Sequence, residues 1–422
     1  MKKTIERWKM RLLPFLLVLG PGLITAVADN DAGGIATYSV AAANYGMASQ
    51  YLIIPVTLLL IITQSIGAKI AIVTGKGLGD LIREKFGVKI AVIIFLTYMV
   101  VNFGVILQNV SGLKASIQLF EISYIPWQLV LIMICGFLIF AVVKFNYKRL
   151  EKIFLSMILF YVTYVVSALM CDPNWSEAVQ ESFIYPKQID MSDINYWFTL
   201  IAVLGTTITA WGQFFIQSYI VDKGLTKDQL PKERIEIVLG AIITNFFSWM
   251  IALAVTYTLF KYGIKADSAY TAALAIKPIA SNFASILFAV GLFGASLLGL
   301  VIVPMATAYV FGEMFGFGRS LNANLGQGTG FYSFFIIQVC LALIVVLFPD
   351  INLFSLTLYA DYLNGAMLPV VFYFLIKFSK DRDIMGNYAT KGVSLFVLSA
   401  ATFVILASVI ITFAAKLSII NF

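Results

Sequence analysis

Apolar runs about twenty residues long recur along the whole of this 422-residue sequence. A run of that length crosses the hydrocarbon core of a bilayer as one α-helix. With 60% hydrophobic and 12% charged residues, the chain has too little polar sequence to fold as a soluble domain. The sequence therefore predicts an all-α polytopic membrane protein. About eleven spans are predicted, at 13–44, 50–74, 88–112, 124–143, 150–171, 195–221, 236–260, 281–314, 330–348, 353–377 and 392–416.

The connections between these spans alternate in charge. Lysine and arginine gather at five places, namely 2–11, 76–85, 144–152, 223–234 and 377–391. The loop between the fifth and sixth spans is acidic instead, with Asp172, Glu177, Glu181, Asp190 and Asp193 against Lys187. The positive-inside rule then predicts a cytoplasmic N-terminus and an external C-terminus, with Lys261 and Lys265 as exceptions. We expect the cytoplasmic membrane of a prokaryotic cell, and the net charge of +7 gives no indication of nucleic acid.

Two spans carry polar residues and glycine near the middle. In the first span the stretch "ADNDAGG" (28–34) contains Asp29, Asn30 and Asp31, and the sixth contains "GTTITAWGQFFIQS" (205–218). These spans open two successive sets of five. Interrupted helices at matching places in two halves indicate a midplane binding site in an inverted-repeat transporter. We expect one transmembrane domain, 1–422, with repeats at about 13–171 and 195–377 and an extra helix at about 392–416.

The acidic residues of the first interruption indicate a cation. An ionised Asp in hydrocarbon costs roughly 2.5–3.5 kcal/mol, so a pair is retained where a positive charge offsets it. Asp29 and Asp31 lie about 200° apart on an ideal helix, so both face one ion only where the helix is broken. A break also releases backbone carbonyls, and carboxylate, carbonyl and water oxygens suit Mg²⁺, Ca²⁺ or Mn²⁺. The alternative is that either Asp only caps the following half-helix.

Several separate motifs resemble one family. They are "GPGLITAVADNDAGGIATYS" (20–39), "AKIAIVTGKGLGDLIREKFG" (68–87), "GTTITAWGQFFIQS" and "SKDRDIMGNYA" (379–389). The chain resembles the Nramp divalent-metal transporters, and most of all their Nramp-related magnesium transporter branch. The resemblance implies a LeuT-like fold of two inverted five-helix repeats plus an eleventh helix. It also implies a transporter rather than an enzyme, with a metal ion as substrate and no resident cofactor.

The resemblance assigns roles to particular positions. It places the metal-binding carboxylate at Asp31 and carbonyl ligands at Ala28 and Thr207. Classical Nramp proteins read Asp-Pro-Gly-Asn where this chain reads "DAGG", so the resemblance places Gly34 where they have an Asn ligand. Their Met-Pro-His in the sixth helix is replaced by Ala210, Trp211 and Gly212, without thioether or imidazole.

The groups tied to proton movement in the family are also replaced. The acids of the third helix fall at Asn102 and Val105, and the His position is Gly212. A tenth-helix Gln falls at Met367, with Asn364 one turn away. The chain contains no histidine at all, which excludes histidine ligands and histidine proton relays.

These replacements predict a roomy site for a partly hydrated ion. Mg²⁺ usually keeps several waters and binds one or two carboxylates. Groups expected to support the ion or its water shell are Asp29, Asn30, Thr209, Trp211, Gln213, Gln217 and Asn364, although Trp211 is equally explained by packing. We expect an importer that prefers Mg²⁺, accepts Mn²⁺ and works by alternating access without obligatory proton coupling. Its partners would be the ion and the bilayer, with no obligatory protein partner.

Three rival functions remain open. The first is a proton-coupled Mn²⁺/Fe²⁺ transporter on the same scaffold, the second a sodium-coupled symporter of an organic solute, and the third a scaffold or receptor that has lost transport.

The motif "GLGD" (77–80) is also found in intramembrane aspartyl proteases, but here it lies at the interface among charged residues. Glu313 is expected to be structural, and Asp361 to face an aqueous vestibule or to cap a helix. Cys135, Cys171 and Cys340 have no metal or redox spacing.

Overall fold

The described part of this protein is built from α-helices joined by turns, short 3₁₀ segments and loops. The computed structural model describes residues 20–120, 124–145, 147–184, 186, 189–190, 192–264, 282–318, 328–348 and 357–416. In the first half the α-helices are α1 (Pro21–Ala28), α2 (Ala32–Tyr45), α3 (Ile53–Thr74), α4 (Leu78–Leu119), α5 (Trp127–Lys144), α6 (Tyr147–Met157), α7 (Val162–Leu169) and α8 (Trp175–Phe183). In the second half they are α9 (Ile194–Thr207), α10 (Ala210–Lys223), α11 (Leu230–Thr256), α12 (Asn282–Phe315), α13 (Thr329–Leu347), α14 (Thr357–Lys380), α15 (Arg382–Met385) and α16 (Val393–Lys416).

Most of these helices are long and apolar enough to cross a membrane. Ten candidate spans are found within the described ranges. The interrupted pair α1–α2 covers 21–45 in addition, which is about 37 Å at a rise of 1.5 Å per residue. Large apolar side chains such as Ile93, Phe137 and Phe396 are exposed on the outer faces of these helices, where lipid would cover them. The prediction of an all-α polytopic membrane protein is confirmed, while the basic N-terminal segment and residues 13–19 of the first predicted span lie outside the described residues.

Both predicted interruptions are present. The first helix breaks at Asp29–Asp31 between α1 and α2, and the sixth breaks at Ile208–Thr209 between α9 and α10. Pro21 is the first residue of α1, where its missing N–H costs no helix hydrogen bond. Asp31 and Thr209 are the N-cap residues of α2 and α10, and each accepts a bond from the third residue beyond it. The polar residues in the two runs therefore start new helices within the bilayer.

Two features depart from the predicted spans. The third span, predicted at 88–112, belongs to α4, which starts at Leu78 and turns at Gly87 with φ 81° and ψ 167°. A residue with a side chain is strained at this φ, so glycine permits the turn. The acidic loop after the fifth span also contains α8, whose N-cap Asn174 accepts a hydrogen bond from Glu177. This helix has only nine residues, far fewer than a membrane span needs, so the pattern of apolar runs does not predict it.

Small residues bring the central helices close together. A Cβ at Gly205 of α9 would overlap the carbonyl oxygen of Asp361 and lie 2.5 Å from the nitrogen of Gly365, both on α14. A Cβ at Gly112 of α4 would likewise overlap Ala32 of α2. Membrane helices associate through such close contacts because the lipid provides no hydrophobic driving force between them. The contact at Gly205 holds α14 against the broken sixth helix.

We predict that Gly205→Ala destabilises the protein. The added methyl group meets backbone atoms, which cannot turn away as a side chain can, and overpacking of this kind costs roughly 1–3 kcal/mol. The matched control is Gly136→Ala on α5, where a Cβ would have no neighbour within 4 Å. The measurement is the melting temperature of each purified variant in detergent. Equal melting temperatures for Gly205→Ala and Gly136→Ala would contradict the proposed role of this contact.

Candidate functional site

The break in the first helix is buried together with its acidic side chains. Asp29, Asn30 and Asp31 are only 1%, 1% and 3% exposed. Asp31 has extended backbone angles, and its Oδ1 accepts a hydrogen bond of 3.1 Å from the N–H of Gly34. The capping role considered for either carboxylate thus belongs to Asp31. A carboxylate oxygen accepts more than one hydrogen bond or ligand, so capping does not exclude a metal.

Asn109 of α4 completes the environment of Asp31. Its Nδ2 donates to Asp31 Oδ2 at 2.6 Å, and its Oδ1 accepts from the N–H of Ala32 at 3.2 Å. In an unbroken helix the N–H of Ala32 would reach the carbonyl of Ala28. Asn109 therefore takes the place of that carbonyl, which leaves Ala28 available as a ligand. Asn109 was not predicted as part of the site, although an Asn inside an apolar span is a signal.

Asp29 connects the two helix breaks. Its Oδ1 accepts a hydrogen bond of 2.6 Å from the hydroxyl of Thr209, which in turn accepts 2.9 Å from the N–H of Gly212. Its Oδ2 is buried and has no hydrogen-bond partner among the described residues. A Cβ at Gly212 would lie 2.7 Å from the Thr209 hydroxyl and 2.9 Å from Asp29 Oδ1. The absence of a side chain at Gly212 thus permits the contact between the breaks.

The break in the sixth helix is supported by α14 and α2. The N–H of Ala210 donates to Asn364 Oδ1 at 2.8 Å instead of to the carbonyl of Thr206, its partner in an unbroken helix. Asn364 is fully buried, and its Nδ2 has no partner within the described chain. Thr207 is the last residue of α9, and its hydroxyl lies 2.6 Å from that of Tyr38.

Asn30 holds α1–α2 to its neighbours. Its Nδ2 donates to both the carbonyl and the hydroxyl of Thr244, at 2.6 and 2.9 Å, and its Oδ1 accepts from Ser248 at 2.8 Å. Its carbonyl accepts 2.7 Å from the hydroxyl of Tyr161. The carboxamide is thus engaged at both ends by α11. These contacts hold the break against α11, and the expected supporting role of Asn30 towards an ion stays a prediction.

A third carboxylate lies near the break. Asp361 of α14 is 1% exposed, so the expected position in a vestibule or at an interfacial cap is wrong. Its Oδ2 accepts 2.5 Å from the hydroxyl of Thr37, and its Oδ1 lies 3.4 Å from Gln108 Nε2. Gln108 Oε1 lies against Gly33 and has no hydrogen-bond partner in the described part of the chain. Neither Gln108 nor this burial of Asp361 was predicted, because both depend on the packing of α4 and α14 against α2.

Several buried polar side-chain atoms of α3 and α10 have no hydrogen-bond partner among the described residues. They are both amide atoms of Gln213, both of Gln64, Gln217 Oε1 and Trp211 Nε1, as far as the described residues show. Gln217 of α10 faces α3, because a Cβ at Gly67 would lie 3.2 Å from its Nε2. Buried polar groups without a protein partner commonly bind water or an ion. The expected contact of Gln213 and Gln217 with a water shell stays a prediction.

The positions expected to have lost proton-coupling groups are uncharged and buried. Asn102 donates a hydrogen bond of 2.9 Å to the hydroxyl of Thr307, and Val105 is 2% exposed.

The expected structural role of Glu313 agrees with its contacts, since it accepts hydrogen bonds of 2.9 Å from the N–H of Gly79 and of 2.5 Å from the hydroxyl of Ser218. It thereby ties the "GLGD" turn to α12 and α10. The three cysteines are free thiols.

The charges at the breaks are not neutralised by basic side chains. In the described ranges the ion pairs join Lys76 to Glu84, Arg83 to Asp80 and Lys223 to Glu151, and none involves Asp29, Asp31 or Asp361. Within the described part of the chain, no three or more His, Cys, Asp or Glu side chains lie close enough together to hold a metal. An ion at Asp31 would therefore take much of its coordination from carbonyl and amide oxygens and from water.

Comparisons with known proteins agree with this architecture. The chain is 22% identical over 405 residues to the "Divalent metal cation transporter MntH" of Latilactobacillus sakei, covering 92% of this chain and 86% of the relative. It is 23% identical over 390 residues to the protein of the same name from Deinococcus radiodurans, covering 90% and 85%.

Solved structures give the fold. The manganese transporter of Eremococcus coleocola matches with a TM-score of 0.72 at 16% identity, covering 95% of this chain and 87% of that one. The transporter MhsT, solved with L-phenylalanine, matches with a TM-score of 0.60 at 15% identity, covering 93% and 97%. The predicted LeuT-like fold is confirmed. The sequence pattern of the family described as "Natural resistance-associated macrophage protein-like" matches residues 22–415, and this chain therefore belongs to the Nramp family.

Proposed function

We propose that this protein moves divalent metal cations across the membrane at a site centred on Asp31. The observation that carries the proposal is the pair of buried carboxylates, Asp29 and Asp31, at one helix break, with no basic partner in the described chain. Leaving two such charges in a membrane costs roughly 2.5–3.5 kcal/mol each. A bound cation removes most of that cost, so the site favours a dication over a neutral or anionic solute.

The relatives support a metal rather than an organic substrate. Two of them are named divalent metal cation transporters, and a structural neighbour is a manganese transporter. In symporters of this architecture a free helix N-terminus holds the carboxylate of an amino acid. Here the N-terminus of α2 is already occupied by Asp31 and that of α10 by Thr209. A substrate carboxylate would also meet the negative charge of Asp29.

We further propose that the preferred ion is partly hydrated Mg²⁺, with Mn²⁺ accepted, as in the magnesium-transporting branch of the family. Ala210 and Gly34 provide no thioether and no amide, so the donors that we propose are oxygen atoms, from the carboxylate of Asp31 and the carbonyls of Ala28 and Thr207. Oxygen ligands do not favour transition metals over Mg²⁺ in the way that sulfur does. The amide atoms of Gln213 and the Oε1 of Gln217, which have no partner among the described residues, would bind the water that Mg²⁺ retains.

The membrane potential alone supplies enough free energy for this protein to accumulate a divalent cation without proton coupling. Two charges crossing 100 mV correspond to about 4.6 kcal/mol, which allows accumulation without a second ion. The uncharged Asn102, Val105 and Gly212 stand where the family resemblance places proton-coupling groups.

One observation favours the alternative of a proton-coupled Mn²⁺/Fe²⁺ transporter. Asp361 is a buried carboxyl group that is hydrogen-bonded to Thr37, and such a group could carry a proton. The N-in, C-out orientation and the repeat boundaries remain predictions.

We predict that Asp31→Asn abolishes metal uptake while the fold is kept. Asn caps helices as well as Asp does and keeps an oxygen for the N–H of Gly34, while its Nδ2 replaces the oxygen that accepts from Asn109. The substitution therefore removes the charge and one side-chain hydrogen bond. Uptake of Mn²⁺ and Mg²⁺ into proteoliposomes should fall about tenfold or more, equivalent to roughly 1.4 kcal/mol of lost interaction. The matched control is Asp190→Asn, an exposed carboxylate bonded only locally to Ser192. Normal uptake by Asp31→Asn at an unchanged melting temperature would refute the site.

We predict that metal uptake leaves the internal pH unchanged. A dye trapped in the vesicles should stay constant during potential-driven uptake of Mg²⁺ or Mn²⁺, because the proton-coupling positions carry no titratable group. Acidification that depends on the metal would instead support the proton-coupled alternative. Asp361→Asn would then test whether Asp361 carries the proton, since the acidification should disappear in that variant.

We predict that Gly34→Asn with Ala210→Met shifts preference from Mg²⁺ towards transition metals. The first change adds an amide oxygen and the second a thioether, and both reduce the room for water. A Cβ at Gly34 would lie 3.0 Å from the carbonyl oxygen of Asp29 and 3.2 Å from the hydroxyl of Thr206, so the break must widen by a few tenths of an ångström to admit Asn. The measurement is competition of Mg²⁺ against Mn²⁺ uptake, where the inhibition by Mg²⁺ should weaken about tenfold, roughly 1.4 kcal/mol. Unchanged competition would show that cavity size does not set the preference.

A further inference from the structure

A separate cavity lies at the end of the protein where α2 finishes. It has a volume of about 300 Å³ and is bordered by Tyr45 of α2, by the segment leading into α8, and by the end of α11. Tyr45 is at the far end of the broken first helix from Gly20. The charge pattern of the loops predicts that this end faces the outside of the cell. The cavity is therefore distinct from the site at Asp31.

We propose that this cavity is an outer cation site, which holds a divalent ion with its complete water shell before the ion moves to Asp31. The identity of the ion as cargo rests on the function proposed above. The presence of a cation site in the cavity does not depend on transport, because it is argued from the charge of the cavity, one partnerless hydroxyl in its wall and its size.

The cavity carries a net negative charge. Asp172, Glu177 and Glu181 line it together with a single basic residue, Lys261. Three carboxylates against one ammonium leave two negative charges when all four groups are ionised, which matches a dication. Glu177 is held in place by Tyr257, whose hydroxyl lies 3.3 Å from its Oε2 and donates 2.9 Å to the carbonyl of Asn174.

A polar group in the wall has no protein partner. Thr256 lines the cavity and is 8% exposed, and its hydroxyl makes no hydrogen bond to any described residue. A buried hydroxyl without a partner is costly, and cavities of this kind commonly hold ordered water bonded to such groups. The hydroxyl of Thr256 would thus contact the water shell of an ion that the carboxylates attract.

The size and spacing of the cavity indicate a hydrated ion rather than a bare one. Six waters occupy about 180 Å³ at ~30 Å³ each, so a hexahydrated ion fits within about 300 Å³. Within the described residues no three acidic side chains are close enough to bind a metal directly. The carboxylates would therefore act through water, by attraction over several ångströms.

The direct test measures Mn²⁺ binding in the Asp31→Asn background, where the inner site is removed. Binding to the purified full-length protein is followed by electron spin resonance of free Mn²⁺ at low ionic strength. We expect weak binding to remain and to be reduced about threefold or more when Asp172→Asn, Glu177→Gln and Glu181→Gln are added. Asn tolerates the positive φ of 47° at residue 172, which protects the local backbone.

Controls separate the cavity from general surface charge. Asp190→Asn removes a carboxylate from the same loop outside the cavity lining, and it should leave Mn²⁺ binding unchanged. Lys261→Gln should instead strengthen binding, so the proposal stays testable where the triple variant fails to fold. Equal binding with and without the three substitutions, or no effect of Lys261→Gln, would overturn the proposal.

Uptake assays then relate the cavity to transport. In the otherwise unaltered protein the three substitutions should raise the half-saturating Mn²⁺ concentration more than they lower the maximal rate. Failure of the proposed function would appear differently, as uptake insensitive to Asp31→Asn while Mn²⁺ binding in the cavity persists. Raising monovalent salt at fixed Mn²⁺ should reduce the difference between variants, because screening weakens attraction through water.

Discussion

The backbone N–H groups at two helix breaks must find partners inside a membrane, and the rest of the site depends on how they do so. An unpaired N–H in hydrocarbon costs several kcal/mol because no water is present to bond it. At the first break the N–H of Ala32 reaches Asn109 and that of Gly34 reaches Asp31. At the second, the N–H of Ala210 reaches Asn364 and that of Gly212 reaches Thr209. Side-chain oxygens thus satisfy the donors that the breaks release.

This arrangement has an electrostatic consequence. Where a side chain accepts from a backbone N–H, the carbonyl that would have accepted that bond, such as that of Ala28 or Thr206, is released. The released atoms are oxygens with partial negative charge, and that of Ala28 precedes Asp29, a carboxylate that no basic residue in the described chain neutralises. The residues that stabilise the breaks therefore also add negative charge there. On the proposed function, stability of the broken helices and affinity for a metal would have one physical origin.

Local sequence was sufficient for some of this structure and insufficient for the rest. The spans follow from apolar length, and the two breaks follow from Asp, Asn, Thr and Gly inside apolar runs, so these were predictable. Asn109 and Asp361 were not, because their role depends on α4 and α14 lying against a break 78 or more residues away. Asn30 shows the opposite difficulty, since its neighbours in sequence suggest a ligand whereas the packed structure engages its amide with Thr244 and Ser248.

The two cation sites would place different demands on an ion. In the outer cavity the carboxylates are spread around about 300 Å³, and attraction through water depends on charge far more than on the identity of the ion. At Asp31 some waters must be exchanged for carboxylate and carbonyl oxygens at fixed positions, and that exchange costs each metal a different amount. Selection among dications would therefore occur at the inner site. The amide atoms of Gln213 and the Oε1 of Gln217, which have no partner among the described residues, would then lower the cost for an ion that keeps its remaining waters, because those waters would exchange one set of hydrogen bonds for another.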